Sequence, residues 1–160
     1  KLFLNQIGNK KNKFHSLVWI NGNPKIGKGT YIGGFSEVNA KGSKISIGYK
    51  CDIASFVSIN VSDSHKRCIG IKKKITKKSI KIGNKVFIGS HSAILGGVKI
   101  GNNSVVGAGT VLQNCNIPPY SLVVGNPPVI KKNYYKKYFN KWYFITNLQL
   151  GEKKFLQYQK

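Results

Sequence analysis

At 160 residues the chain is long enough for one domain with a continuous core, and its formal charge of +23 makes it a natural partner for anionic surfaces or polyanions. No stretch approaches the ~20 apolar residues of a membrane span and no signal peptide opens the chain, so a cytoplasmic location is expected. Cys51, Cys68 and Cys115 are odd in number and irregularly spaced, which argues against a disulfide framework.

The first patterned stretch places an aliphatic residue at every sixth position, at Ile20, Ile26, Ile32 and Val38, with Gly27 and Gly33 directly behind and Thr30 and Ser36 four on. The pattern slips by three residues and resumes as Ile47, Ile53 and Ile59, with Gly48, Cys51 and Val57. A larger interruption, about 60–80, carries Asn60-Val61-Ser62-Asp63-Ser64-His65-Lys66-Arg67-Cys68 and the basic run Lys72–Lys74 and Lys77–Lys78. The register returns unbroken at Ile82, Ile88, Ile94, Ile100, Val106 and Leu112. After Pro127 and Pro128 the composition changes: residues 129–160 mix lysine with Tyr134, Tyr135, Tyr138, Phe139, Trp142, Tyr143 and Phe144. Spacings such as 135, 138, 139 and 142 permit a helix with one aromatic face, packed on the prism or a neighbouring subunit or resting peripherally on the inner membrane leaflet.

Neither the helical period of 3.6 nor the strand period of 2 generates a strict six. A fixed repeat means stacked units, none of which can bury its apolar face alone. Each hexad reads as a short strand and a tight turn with its aliphatic residue inward, and glycine behind it frees the backbone for the turn. Three hexads close one triangular coil. This pattern, aliphatic-Gly-x-x-small-x, resembles the left-handed parallel β-helix of the hexapeptide-repeat acyltransferases. The resemblance implies an all-β prism of about five coils over residues 1–128, with a loop insertion and a basic, aromatic, helical extension. Cys51 sits at a small inward position and is expected to be a reduced core residue.

A β-helix has flat walls, so reactive groups are expected where the register breaks. His65 lies in the main interruption, and imidazole titrates near neutrality and can take a proton from a hydroxyl or amine. Asp63, one of only four carboxylates, is two residues before it and can orient the ring or serve as a simple turn residue. Residues 80–130, notably Phe87-Ile88-Gly89-Ser90-His91, Gly107-Ala108-Gly109-Thr110 and Gly125-Asn126-Pro127-Pro128, resemble the galactoside and xenobiotic O-acetyltransferases. The resemblance implies His65 as the catalytic base, supported by Asp63, and places His91 beside the cofactor. It implies acetyl-CoA as cosubstrate in a groove between two subunits. Ser90 and Ala108 would meet the pantetheine amides beside Gly89, Phe87 would stand where relatives carry tryptophan, and Lys131 and Lys132 would approach the nucleotide phosphates. His15 is expected to be structural.

The expected activity is direct acetyl transfer to a sugar hydroxyl of a bacterial surface glycan or its precursor, within polysaccharide biosynthesis. The acceptor is a saccharide for which a lysine-rich cleft suits an acidic character, and the assembly is a homotrimer with sites between subunits. N-acetylation of a nucleotide-linked amino sugar needs the same fold and cofactor. A noncatalytic basic scaffold that binds polyanions is the alternative from another class. The three histidines lack the close pair used by zinc-dependent γ-type carbonic anhydrases, so no metal is expected, and the charge implies no specific recognition of nucleic acid.

Overall fold

A computed structural model describes residues 13–139. The hexads form three parallel sheets that wrap around one core. The first face stacks Trp19–Asn21, Glu37–Asn39, Ser58–Asn60, Ala93–Leu95 and Val111–Leu112. The second stacks Lys25–Ile26, Ile45–Ile47, Ile80–Ile82, Lys99–Ile100 and Asn116–Ile117. The third runs through Tyr31–Ile32, Asp52–Ile53, Phe87–Ile88, Val105–Val106 and Leu122–Val124, and is closed by Val129–Lys131. Each sheet therefore samples every third hexad, which is the triangular coil expected from the repeat. The β-helix of about five coils is borne out.

Register explains why the aliphatic positions coincide. Ile32 pairs with Ile53, Ile53 with Ile88 and Ile88 with Val106, so one face points a continuous column inward. Ile32, Ile53, Ile59, Ile88, Ile94, Val106 and Leu112 are fully buried. Each such isoleucine contributes about 1.5–3 kcal/mol by leaving water, and none would do so in an isolated hexad.

The small fourth residue does more than save space. Ser36, Ser92, Ser104 and Thr110 are buried beside the turns. Ser36 Oγ donates to the Ala54 carbonyl at 3.0 Å and accepts from Val57 N–H at 3.1 Å, which links consecutive coils. Ser104 does the same one corner away, donating to Pro118 O at 3.1 Å and accepting from Ser121 N–H at 3.2 Å. Cys51 is a free buried thiol, and burial pushes its pKa up, as expected of a reduced core residue.

The glycines require a different reason from the one the repeat suggested. The left-handed backbone falls three residues after the aliphatic position, at Phe35, Lys50, Phe56, Lys85, His91, Asn103, Gly109 and Tyr120. The glycine directly after the aliphatic residue is instead a point of close approach. A Cβ on Gly89 would lie 2.5 Å from the Ala108 amide nitrogen of the next coil. The constraint is coil-to-coil packing, not turn dihedrals.

Two segments depart from the prism. The insertion forms a small antiparallel hairpin, Ser62–Asp63 against Thr76–Lys77, with a single helical turn at His65–Cys68 between. The extension expected to be helical begins as a strand: Val129–Lys131 reverses and pairs antiparallel with Leu122–Val124, because the left-handed Gly125 and the following prolines turn the chain back along the third face. A short 3-10 turn follows at Lys136–Phe139. Trp142, Tyr143 and Phe144 lie outside the described residues. Among those described, no helix is long and apolar enough to cross a membrane.

Candidate functional site

The hairpin leaves the prism where the first face turns into the second, and it carries Asp63 and His65 over that corner. Asp63 closes the hairpin strand and His65 opens the helical turn, so the two side chains meet across a sharp bend. The imidazole Nδ1 and Asp63 Oδ1 form a short hydrogen bond. The same oxygen accepts the His65 backbone N–H at 3.2 Å. Gln113, directly after the last strand of the first face, donates from Nε2 to Asp63 Oδ2 at 3.3 Å. The hydrogen bonds from His65, that of the ring first and that of the backbone N–H second, hold the Asp63 carboxyl below the usual carboxylate range.

The bond fixes a chemical role for each nitrogen. Nδ1 is engaged by the carboxylate, which leaves Nε2 as the ring nitrogen available to a substrate proton. His65 keeps 58% of its side-chain surface exposed, against 29% for Asp63, so the carboxylate lies behind the ring. A cavity of about 260 Å³ opens at this corner, lined by Asp63, His65, Lys66, Lys72, Lys78 and Gln113 among others. Gln113 was not singled out from sequence: it lies fifty positions from Asp63, and only the stacking of coils brings it there.

The residues expected to hold the cofactor collect elsewhere. Phe87 projects outward from the third face and is 40% exposed. With Lys85, Val105, Tyr135, Tyr138 and Phe139 it lines a second cavity of about 300 Å³ beneath the returning C-terminal turn. Gly89, Ser90 and Ala108 form the corner where the third face turns into the first, with Ala108 exposed and Ser90 O accepting Gly109 N–H at 2.9 Å. Lys131, exposed on the terminal strand, lies opposite Leu122, and Lys132 follows it, also exposed. These six positions thus mark a track along the third face and its exit corner. The Asp63–His65 pair stands at the far side of the first face. One chain does not bring the two groups together.

The remaining histidines have other settings. His91 stacks on Phe56 at 4.9 Å and Phe56 on Phe35 at 5.0 Å, three nearly parallel rings at the left-handed position of successive coils. Gly109 takes that position in the next coil, and a Cβ built on it would meet nothing within 4 Å. His15 Nδ1 accepts the Leu17 N–H at 3.2 Å, a local turn contact before the first strand.

Comparison with known proteins agrees with this fold. The bacterial transferase hexapeptide (six repeats) family model matches residues 79–114. Over 48 residues the chain is 52% identical to the galactoside O-acetyltransferase of Escherichia coli (strain K12), a match spanning 30% of this chain and 23% of that protein. Among solved structures, the polySia-specific acetyltransferase NeuO aligns over 83% of this chain and 73% of its own, with 27% identity and a TM-score of 0.62. A galactoside acetyltransferase in complex with coenzyme A aligns over 72% of this chain and 63% of its own, with 29% identity and a TM-score of 0.51. The chain spans about a quarter of the length of the curated relatives it matches. The resemblance to hexapeptide-repeat transferases is borne out.

Proposed function

We propose that the chain is an acetyl-CoA-dependent acetyltransferase that acetylates a sugar hydroxyl, with His65 as general base. The observation that carries this reading is the Asp63–His65 pair, set in a cavity at the main break of an otherwise smooth hexapeptide prism. A galactoside acetyltransferase solved with coenzyme A and the polySia-specific acetyltransferase share the fold at 27–29% identity, which supports the cosubstrate and a saccharide acceptor.

In this reading Nε2 of His65 takes the acceptor hydroxyl proton as its oxygen attacks the thioester carbonyl. A backbone N–H of the prism corner stabilises the oxyanion. The carbon–sulfur bond then breaks and the thiolate leaves, with the imidazolium as the proton source. Asp63 positions the ring and stabilises its charged form. Phe87, Gly89, Ser90, Ala108, Lys131 and Lys132 hold the cosubstrate, the lysines meeting its phosphates as point charges.

Because those positions and His65 lie on opposite sides of the first face, a complete site requires the cofactor track of one copy to face the His65 corner of another. A closed ring of three copies makes three identical sites, so a homotrimer is proposed. Its place is polysaccharide modification inside the cell, where the basic extension can rest on an anionic leaflet.

The test is a panel of sugars, oligosaccharides and nucleotide-linked amino sugars incubated with acetyl-CoA and read by mass. An acetyl increment on oxygen, lost by about 10²–10⁴-fold in His65→Ala, is the expected result. An increment only on nitrogen would replace the acceptor class. Near-wild-type turnover in His65→Ala would overturn the base assignment. A monomer by multi-angle light scattering at assay concentration would overturn the shared site.

A further inference from the structure

We infer that the acceptor taken by the His65 cavity is an anionic saccharide, one carrying a carboxylate or phosphate beside the hydroxyl that is modified. The inference rests on the proposed acetyl transfer at His65 and adds the chemical class of the acceptor.

Three lysines, Lys66, Lys72 and Lys78, line the cavity, and Asp63 is its only carboxylate. Both oxygens of Asp63 are already taken, Oδ1 by His65 and Oδ2 by Gln113. The single acidic group is therefore committed to the imidazole, and the lysines have no protein counter-charge within the cavity. Two local features set them around it. The Lys72 N–H donates to the Lys66 carbonyl at 2.9 Å, which folds the lysine-rich loop back over the helical turn and brings Lys72 to the same rim. The Lys78 ammonium is held on Asn114 Oδ1 at 2.7 Å, across the cleft on the prism wall.

The basic run Lys72–Lys74 and Lys77–Lys78 falls within seven residues of sequence. The fold divides it. Lys72 and Lys78 line the cavity, whereas the Lys77 ammonium lies over the Gly42 turn, where a Cβ would meet it. A merely solvated face has no reason to converge on the candidate base from a loop and from the end of the hairpin strand Thr76–Lys77. Nor are the coenzyme's own phosphates needed to balance these charges, because the proposed cosubstrate track has Lys131 and Lys132 at the closing strand of the third face. What is left is an anion on the acceptor. It would be held by contacts to the lysine ammonium groups while a neighbouring hydroxyl reaches Nε2.

The experiment measures binding by calorimetry, independent of turnover, for trigalacturonate, glucose 1-phosphate and neutral maltotriose at low salt. Tighter binding of either anionic probe than of maltotriose, by about tenfold or more, is expected, and the stronger arm identifies the carboxylate or the phosphate. Lys66→Gln combined with Lys72→Gln should weaken that anionic probe by about tenfold, the scale of two partly solvated ion pairs. Lys81→Gln combined with Lys99→Gln removes the same charge from the outer side of the second face and should change affinity by less than about twofold. Equal binding of all three probes, no binding of any, or equal loss in both double variants would overturn the inference. Anion binding that follows this pattern without acetyl transfer to any acceptor would leave the anionic site standing and remove the proposed activity instead.

Discussion

Both oxygens of Asp63 already accept hydrogen bonds, so on the proposed mechanism its contribution to turnover passes through His65. Oδ1 receives the imidazole Nδ1–H and the His65 backbone N–H at 3.2 Å, and Oδ2 receives Gln113 Nε2 at 3.3 Å. Asp63→Asn keeps the shape but not the acceptor set. With its carbonyl toward His65, the new amide nitrogen faces the Gln113 nitrogen, donor against donor. Rotated the other way, it faces the imidazole donor. Whichever orientation is taken, and even if the Gln113 amide turns over to accept, the bond to the ring lacks the charge assistance that makes such contacts about twice as strong. A fall in kcat of about 10–100-fold with little change in KM follows, against about 10²–10⁴-fold for His65→Ala. On the proposed mechanism Asp63 works only through the ring, so the double variant should match His65→Ala within about threefold. Independent contributions would instead multiply to roughly 10³–10⁶. Steady-state release of the CoA thiol, with a saccharide that the wild-type chain acetylates, measures all four corners. A multiplicative double variant would refute the positioning role.

Other expectations follow from the same contacts. Carbon-detected NMR should place the Asp63 carboxyl titration below the ordinary range and return it upward in His65→Ala, since the His65 hydrogen bond is the largest cause of the depression. The sign for stability is that the pair's contribution is complete above the unfolded carboxylate pKa and is lost as pH falls through the lowered folded value. Ser104→Ala and Ser121→Ala remove the same atom from equally buried sites but should differ in urea unfolding. The first leaves Ser121 N–H unpaired and should cost about 1–3 kcal/mol. The second leaves Pro118 O still served by Ser104 and should cost under about 1 kcal/mol; the reverse order would refute this account. Gly89→Ala should destabilise by about 1–3 kcal/mol or more through its clash with the Ala108 backbone, and an unchanged melting temperature would count against that contact. Thiol labelling should reach exposed Cys68 at once and buried Cys51 only on unfolding.

Much of the architecture is legible in the chain because a solenoid repeats one local instruction. Ile82, Ile88 and Ile94 report the inward position without reference to anything distant, and the coil closes after three such steps. His65 is legible for the complementary reason: it stands in the longest stretch that breaks the rule. Gln113 is not, since nothing in its own hexad marks it and its partner is a carboxylate on a hairpin several coils away in sequence. The glycines were read for the wrong cause, because a repeat records that a Cβ is excluded but not what excludes it. The start of the extension was not legible, because Gly125 and the two prolines redirect residues 129–131 into a strand on the third face; the aromatic spacing over 135–142 meets a 3-10 turn at Lys136–Phe139, and its end lies outside the described residues.

By itself, then, the sequence determined the prism, its core and the segment where chemistry is expected, since each depends on short-range periodicity and on where it fails. Only the tertiary structure decided that Asp63 is committed to His65 and Gln113, that Lys72 and Lys78 converge on the same cavity while Lys77 turns away, and that the positions proposed to hold the cofactor lie a full face from His65. Those relations are set by which coils stack and which corner releases the hairpin, and a side chain's neighbours across coils leave no trace in its own six-residue unit.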